Sequence, residues 1–270
     1  SNDLTHLDWT NGITITSSDA IFIADSANAR VLKCTTVPVC VRFAGTGVPG
    51  TGNTQLDWPA DVAVDSSGNV FVSDVHNFRI QKFNNTGVYQ STIGVTLVPY
   101  LSDNSHFNSP WGIALAPDNS IYILERIGYR LIKLNSTGAF QWSVGQAGVY
   151  GSDNTHFGSW WSGVEGSPAI DANGRVYVGD TGNDRVQIFN SDGSYYATLG
   201  SWGTGNYEFS CPTDVTISPV NGDIYVTDHC NHRIQVFTSS LVYKATLGAT
   251  GTSGGDNLHF NYPYGVTVDN

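Results

Sequence analysis

Short runs of alternating apolar and polar residues, separated by Gly- and Asn-rich turns, run along the whole chain. One stretch shows the pattern. Val62-Ala63-Val64 ends at Asp65, and Ser66-Ser67-Gly68-Asn69 reads as a turn. Val70-Phe71-Val72 leads to Asp74, Arg79-Ile80-Gln81-Lys82-Phe83 makes a third run, and Tyr89 to Ile93 makes a fourth. Period-two alternation broken by such turns predicts an antiparallel meander of four short strands. Helical periodicity is absent.

The unit repeats. An acid, an Asn or Gly three residues later, an Arg five later and a Gly twenty later recur five times. The acids are Asp25, Asp74, Glu125, Asp180 and Asp228, and the arginines are Arg30, Arg79, Arg130, Arg185 and Arg233. The closing glycines are Gly45, Gly94, Gly145, Gly200 and Gly248. Steps of 49, 51, 55 and 48 residues between acids give a period near 50. A period of this size, built of β-like segments, predicts a radial array of blades, a β-propeller. The acid at the end of the second strand is placed to accept backbone N–H groups and to pair with the Arg on the third. The intervening Asn or Gly is expected to take a left-handed backbone conformation. These pairs read as structural rather than catalytic.

Repeats fall at about 7–48, 56–97, 107–148, 157–203 and 209–251, with a partial one at 260–270, in a single propeller domain. Residues 7–15 and 262–269 are both expected to be inner strands. Five blades are then complete and a sixth has only its first strand. Six blades are the expectation, and five with a leftover strand the alternative. An unclosed ring leaves an edge open to strand addition. The span from Gly145 to Asp180 is 35 residues, against 29, 31 and 28 elsewhere, so the fourth blade carries an insertion around 158–168. Trp160 and Trp161 lie in it.

Charge narrows the function. The net formal charge is −11, and five of the eight arginines belong to the repeat. The remaining cations, Arg42, Arg126, Arg175 and four lysines, are scattered. Nucleic-acid binding requires a basic footprint, which this chain lacks, and anionic membranes are disfavoured likewise. No apolar run approaches the roughly 20 residues of a membrane span. Ser1 at the start and the lack of any Met read as a processed product. Cys34 and Cys40 flank a predicted hairpin turn, while Cys211 and Cys230 fall in two loops that share one propeller face. Two disulfides in that pairing point to an oxidising compartment, outside the cell or on its surface. Four free buried thiols are the alternative.

Three segments carry a family resemblance: Pro59 to Asp65, Asn69 to Asp74, and Asn231-His232-Arg233-Ile234-Gln235-Val236-Phe237. They resemble the NHL repeat, over nearly the whole chain. The resemblance implies an all-β propeller of four-stranded antiparallel blades, commonly six, used mostly for binding. The third copy departs from it, with Glu125 for Asp and Gly128 for Asn. A second, local resemblance is Cys230-Asn231-His232-Arg233, similar to the Cys-Asn-x-Arg stretch of the peptidylglycine amidating lyases, which are zinc enzymes.

Candidate chemistry follows. Trp160 and Trp161, with Trp58, Trp111, Tyr262, Tyr264 and Trp9 at the heads of inner strands, are candidate binding aromatics for a protein or glycan. Inter-blade packing is the plainer reading of the strand-head set. The phrase Asp-Asn-x-His-Phe ends at His106-Phe107, His156-Phe157 and His259-Phe260, with the aromatic filling a core slot and the His hydrogen-bonding. His76, His229 and His232 follow the repeat acids and are weak candidates for a metal. Glu165 with Asp61 or Asp214 could converge near the channel. Asn84-Asn85-Thr86 and Asn135-Ser136-Thr137 are glycosylation triplets in the turn between third and outer strands. The sequence therefore favours an extracellular, non-enzymatic interaction or scaffold propeller without a cofactor, binding a protein or itself in an assembly. A zinc- or calcium-dependent lyase or hydrolase at the channel mouth is one alternative, and a glycan-binding module the other.

Overall fold

A computed structural model describes residues 6–35, 39–97, 103–158 and 163–268. Trp160 and Trp161 lie outside these residues. Among the described residues there are five four-stranded antiparallel sheets, each in simple sequential order. The first blade uses Thr10–Ile15, Ile21–Asp25, Arg30–Cys34 and Cys40–Ala44, and the second Pro59–Val64, Val70–Asp74, Arg79–Phe83 and Tyr89–Ile93. The third uses Pro110–Leu115, Ile121–Glu125, Arg130–Leu134 and Phe140–Val144. In the fourth, the inner strand shrinks to Ala169–Ile170 before Val176–Asp180, Arg185–Phe189 and Tyr195–Leu199. The fifth is Pro212–Ile217, Ile224–Asp228, Arg233–Phe237 and Tyr243–Leu247. No helix among the described residues is long and apolar enough to cross a membrane.

The core lies between blades. Ala20, Phe22 and Val31 of the first blade pack against Leu56, Val62, Val72 and Phe83 of the second. Similar clusters join the second to the third, the third to the fourth and the fourth to the fifth. Alternation is the reason: both faces of a blade meet a neighbour, so both sets of strand side chains are buried.

The repeated acid and Arg face each other in register in all five blades, as in Asp74 opposite Arg79. Arg79 Nε donates to Asp74 Oδ2 at 2.7 Å, and the other four pairs span 2.6–2.8 Å. Each acid is fully buried. Its second oxygen accepts a backbone N–H from the loop leading into its own inner strand, that of Asp8, Asp57, Asn108, Gly158 or Ser210. The guanidinium then grips carbonyls of the same loop. Arg79 holds Thr51, Gly52 and Gln55, and Arg233 holds Thr204, Gly205 and Glu208. The motif therefore staples each blade to the chain arriving from the blade before it.

Three expectations need correction. The left-handed residue is not the Asn but the one after it: Ala29, Phe78, Tyr129, Asp184 and His232 have φ of +46° to +58°. The Asn contributes its amide instead, as Asn77 Nδ2 donates to both Asp74 oxygens and to the Gly50 carbonyl. The first inner strand starts at Thr10 rather than at residue 7, and Leu7 is exposed. Residues 262–268 form no strand, because no partner strand among the described residues offers them a ladder. They still line the central channel together with the five inner strands: Thr213 Oγ1 donates to the Tyr264 carbonyl, and Val266 N–H donates to Asp214 Oδ2. Among the described residues the propeller therefore has five four-stranded blades, with this channel-lining segment beside them.

Both disulfides form as paired above, Cys34–Cys40 and Cys211–Cys230.

Candidate functional site

The inner strands begin on one face of the propeller and carry a recurrent irregularity there. Register slips between Thr10 and Ile13, Pro59 and Val62, and Pro212 and Val215, and again at the Glu125 end of the third blade. A bulge re-aims side chains that a regular pleat would bury between blades. The residues so displaced are Asn11, Asp61, Trp111 and Asp214, and all point to the channel or its mouth.

At that mouth lies a cleft of about 560 Å³. Trp9, Trp58 and Trp111 form its aromatic wall, joined by His76, Arg126, Glu165 and Tyr264. Trp9 and Trp58 are 6.1 Å apart, and His76 stacks on Trp58 at 5.5 Å. His76 Nδ1 sits 3.0 Å from Asp57 Oδ1. Opposite them, the Arg126 guanidinium covers Trp111 at 4.8 Å and binds Glu165 Oε1 through Nε and a terminal nitrogen, at 2.9 and 2.6 Å. The Tyr264 hydroxyl donates to Glu165 Oε2 at 3.1 Å. Burial, and then the Glu165 carboxylate, push the Tyr264 phenol far above its ordinary value, so it stays a donor. Trp9 is 71% exposed, which leaves the outer wall open to a partner.

Below the cleft the channel narrows onto two buried carboxylates. Asp61 accepts from Val62 N–H, Ile113 N–H and Ser167 Oγ. Asp214 accepts from Ser167 N–H and Val266 N–H. Ser167 therefore bridges them, and together they tie the inner positions of the second, third, fourth and fifth blades to the 263–268 segment. Desolvation raises Asp61 to about 6 and Asp214 to about 7, against opposing backbone hydrogen bonds.

The structure thus brings together Trp9, Trp58, Trp111 and Tyr264, four of the aromatics singled out from sequence. Tyr262 lies apart, 55% exposed, with its ring against His229 and His232. The three histidines are separately engaged: His76 with Asp57, His229 with the Pro263 carbonyl, and His232 Nδ1 with the Tyr262 N–H. Among the described residues, no group of three or more His, Cys, Asp or Glu side chains could share a metal ion. Of the three acids expected near the channel, Asp61 and Asp214 meet through Ser167, while Glu165 rises into the cleft. His106, His156 and His259 each hydrogen-bond the Asp three residues earlier, at 2.7–2.9 Å. Asn84 and Asn135 sit at the opposite end of their blades.

Arg126 escaped the sequence reading, which took it for a stray cation. A positional signal was available. Residues one or two places after each repeat acid (Ser26, His76, Arg126, Thr181 and His229) all emerge on this face, because the second strand ends there.

The NHL repeat model matches residues 56–83 and 209–237. Two blades of this β-propeller, the second and the fifth, thus carry matched NHL repeats. Solved structures agree on the architecture. The propeller is similar to a chain of the nidogen/laminin complex, with TM-score 0.67 and 14% identity over 95% of this chain and 83% of that one. It is similar to virginiamycin B lyase from Staphylococcus aureus, with TM-score 0.63 and 12% identity over 95% and 73%. XC5397 from Xanthomonas campestris, a gluconolactonase, gives 0.61 and 15% over 88% and 75%. At such identities the likeness is one of fold. No curated protein sequence matches the chain.

Proposed function

We propose that this propeller is an extracellular, non-enzymatic binding module that takes a segment of a protein partner into its aromatic cleft. One observation carries the reading: three tryptophans, a tyrosine and an Arg–Glu pair converge at one mouth of the channel, around about 560 Å³ of open space. Trp, Tyr and Arg are the residue types that dominate binding energy at interfaces. A stacked, ion-paired Arg126 is already held in place, so little side-chain freedom is lost on contact. Two disulfides suit an oxidising compartment. The ring itself is read as six-bladed, with residues 263–268 as the inner edge of the sixth blade.

The test is a random-peptide display library panned on the immobilised protein. Peptides selected by the wild type should lose at least tenfold in affinity for Trp111→Ala and Trp58→Ala, and bind the far-face variant Lys33→Ala unchanged. Peptides indifferent to both tryptophans would sink the reading. Light scattering and negative-stain microscopy of the same material separate a partner-binding monomer from a self-assembling subunit.

A second reading is an enzyme at the same mouth, drawn from Tyr264, Glu165 and Arg126 meeting there. It predicts a lyase or hydrolase activity that Glu165→Gln abolishes while thermal unfolding shows the fold intact.

A further inference from the structure

The face opposite the cleft carries its own chemistry. Inner strands start at the cleft, so the ladder places the turns between first and second strands, and between third and outer strands, at the far end. Asn85 indeed shares a far-face depression with Ser18, Asp65 and Gly68.

The chain contains two Asn-x-Thr triplets, and both occupy this third-to-outer turn, in the second and third blades. The two turns are alike. Asn84 Oδ1 accepts from Thr86 N–H, Thr86 Oγ1 and Val88 N–H, at 3.0, 2.8 and 2.9 Å. Asn135 Oδ1 accepts from Thr137 N–H, Thr137 Oγ1 and Ala139 N–H, at 3.0, 2.7 and 2.9 Å. Three donors converge on the side-chain oxygen, which fixes the amide orientation and leaves Nδ2 outward, without a hydrogen bond among the described residues. Thr86 and Thr137 are exposed. The fourth blade supplies a contrast. Its turn has the same backbone closure, but Asp192 stands at the hydroxyl position and Asn190 Nδ2 is taken up by Ser194 Oγ.

We infer that Asn84 and Asn135 are N-glycosylation sites whose oligosaccharides project from the far face and leave the aromatic cleft clear. The inference rests on the extracellular reading above. In the transfer, Nδ2 attacks the anomeric carbon of a polyprenyl-diphosphate-linked oligosaccharide. The C–N bond forms, the bond from that carbon to diphosphate breaks, the diphosphate leaves with the electron pair, and the amide proton passes to it. All three hydrogen bonds to each Oδ1 survive, so the modification breaks no native contact.

The experiment expresses this chain behind a cleavable leader in a eukaryotic secretory host, alongside a known glycoprotein. Routing the chain through that compartment separates failure of the sites from failure of the localisation reading. Intact mass should show two glycans. Each should disappear with Asn84→Asp or Asn135→Asp, which keep the accepting oxygen and remove the nitrogen. Both glycans should be released by an amidase from native, undenatured protein. An unmodified chain beside a modified control overturns the inference, as do glycans that survive both substitutions or resist release until the protein is unfolded. Occupancy of one site overturns it for the other.

Discussion

Glu125 occupies, in the third blade, the space that an Asn amide holds beside an Asp in the other four. A Cβ on Gly128 would collide with the Glu125 carboxylate, so the longer acid and the missing side chain are one change made twice. Gly128→Ala should therefore destabilise by about 1–3 kcal/mol, the usual result of overpacking a filled site. The pair Glu125→Asp with Gly128→Asn should recover most of that loss. Thermal unfolding of the single and double variants measures the coupling, and additive effects would refute the account. The sequence displayed both departures side by side but not their connection. It also placed the left-handed backbone one residue early, because Asn is the usual occupant of that conformation. The residues that adopt it, from Ala29 to His232, share no side-chain signature.

At the level of strands, the inner-strand bulges deliver Asp61 and Asp214 into the channel neck, and burial raises both, to about 6 and about 7. Their unfolded values lie lower, so between about pH 4 and 7 the folded chain holds more protons than the unfolded one. Stability from these groups is then full at the acidic end and falls as pH rises through the folded values. Asp74 and Asp184 shift in the same direction, also by burial. Exposed carboxylates such as Asp103 and Asp153 are lowered by hydrogen bonds, and their contribution is lost only below about pH 4. Warming scans should show higher stability at pH 5 than at pH 7.5, by about 2–4 kcal/mol, and Asp214→Asn should flatten the slope. The second disulfide acts at the same level, pinning the turn after the second strand to the head of the inner strand, 19 residues apart. Replacing Cys211 and Cys230 with Ser should lower stability by about 3 kcal/mol in denaturant titration. Strand positions and the disulfide pairing were legible because alternation and the invariant offsets are local. The bulges were not, since a slipped register leaves the sequence alternation intact.

The whole molecule has two unlike ends, an aromatic mouth and a face of polar turns. Its architecture could be read from the repeat alone, while its cleft could not. Trp9, Trp58, Trp111, Arg126, Glu165 and Tyr264 come from the first four blades and the segment after the fifth, and the radial packing of the blades makes them neighbours. The two departures of the third blade are not interchangeable in the order in which they could be made. With Asp and Asn as the starting state, exchanging the acid first drives a longer carboxylate into an occupied amide. Losing the amide first leaves only a gap, which the glutamate later fills. An engineered route between the two pairings is therefore gentler through the gap, a looser blade, than through the clash.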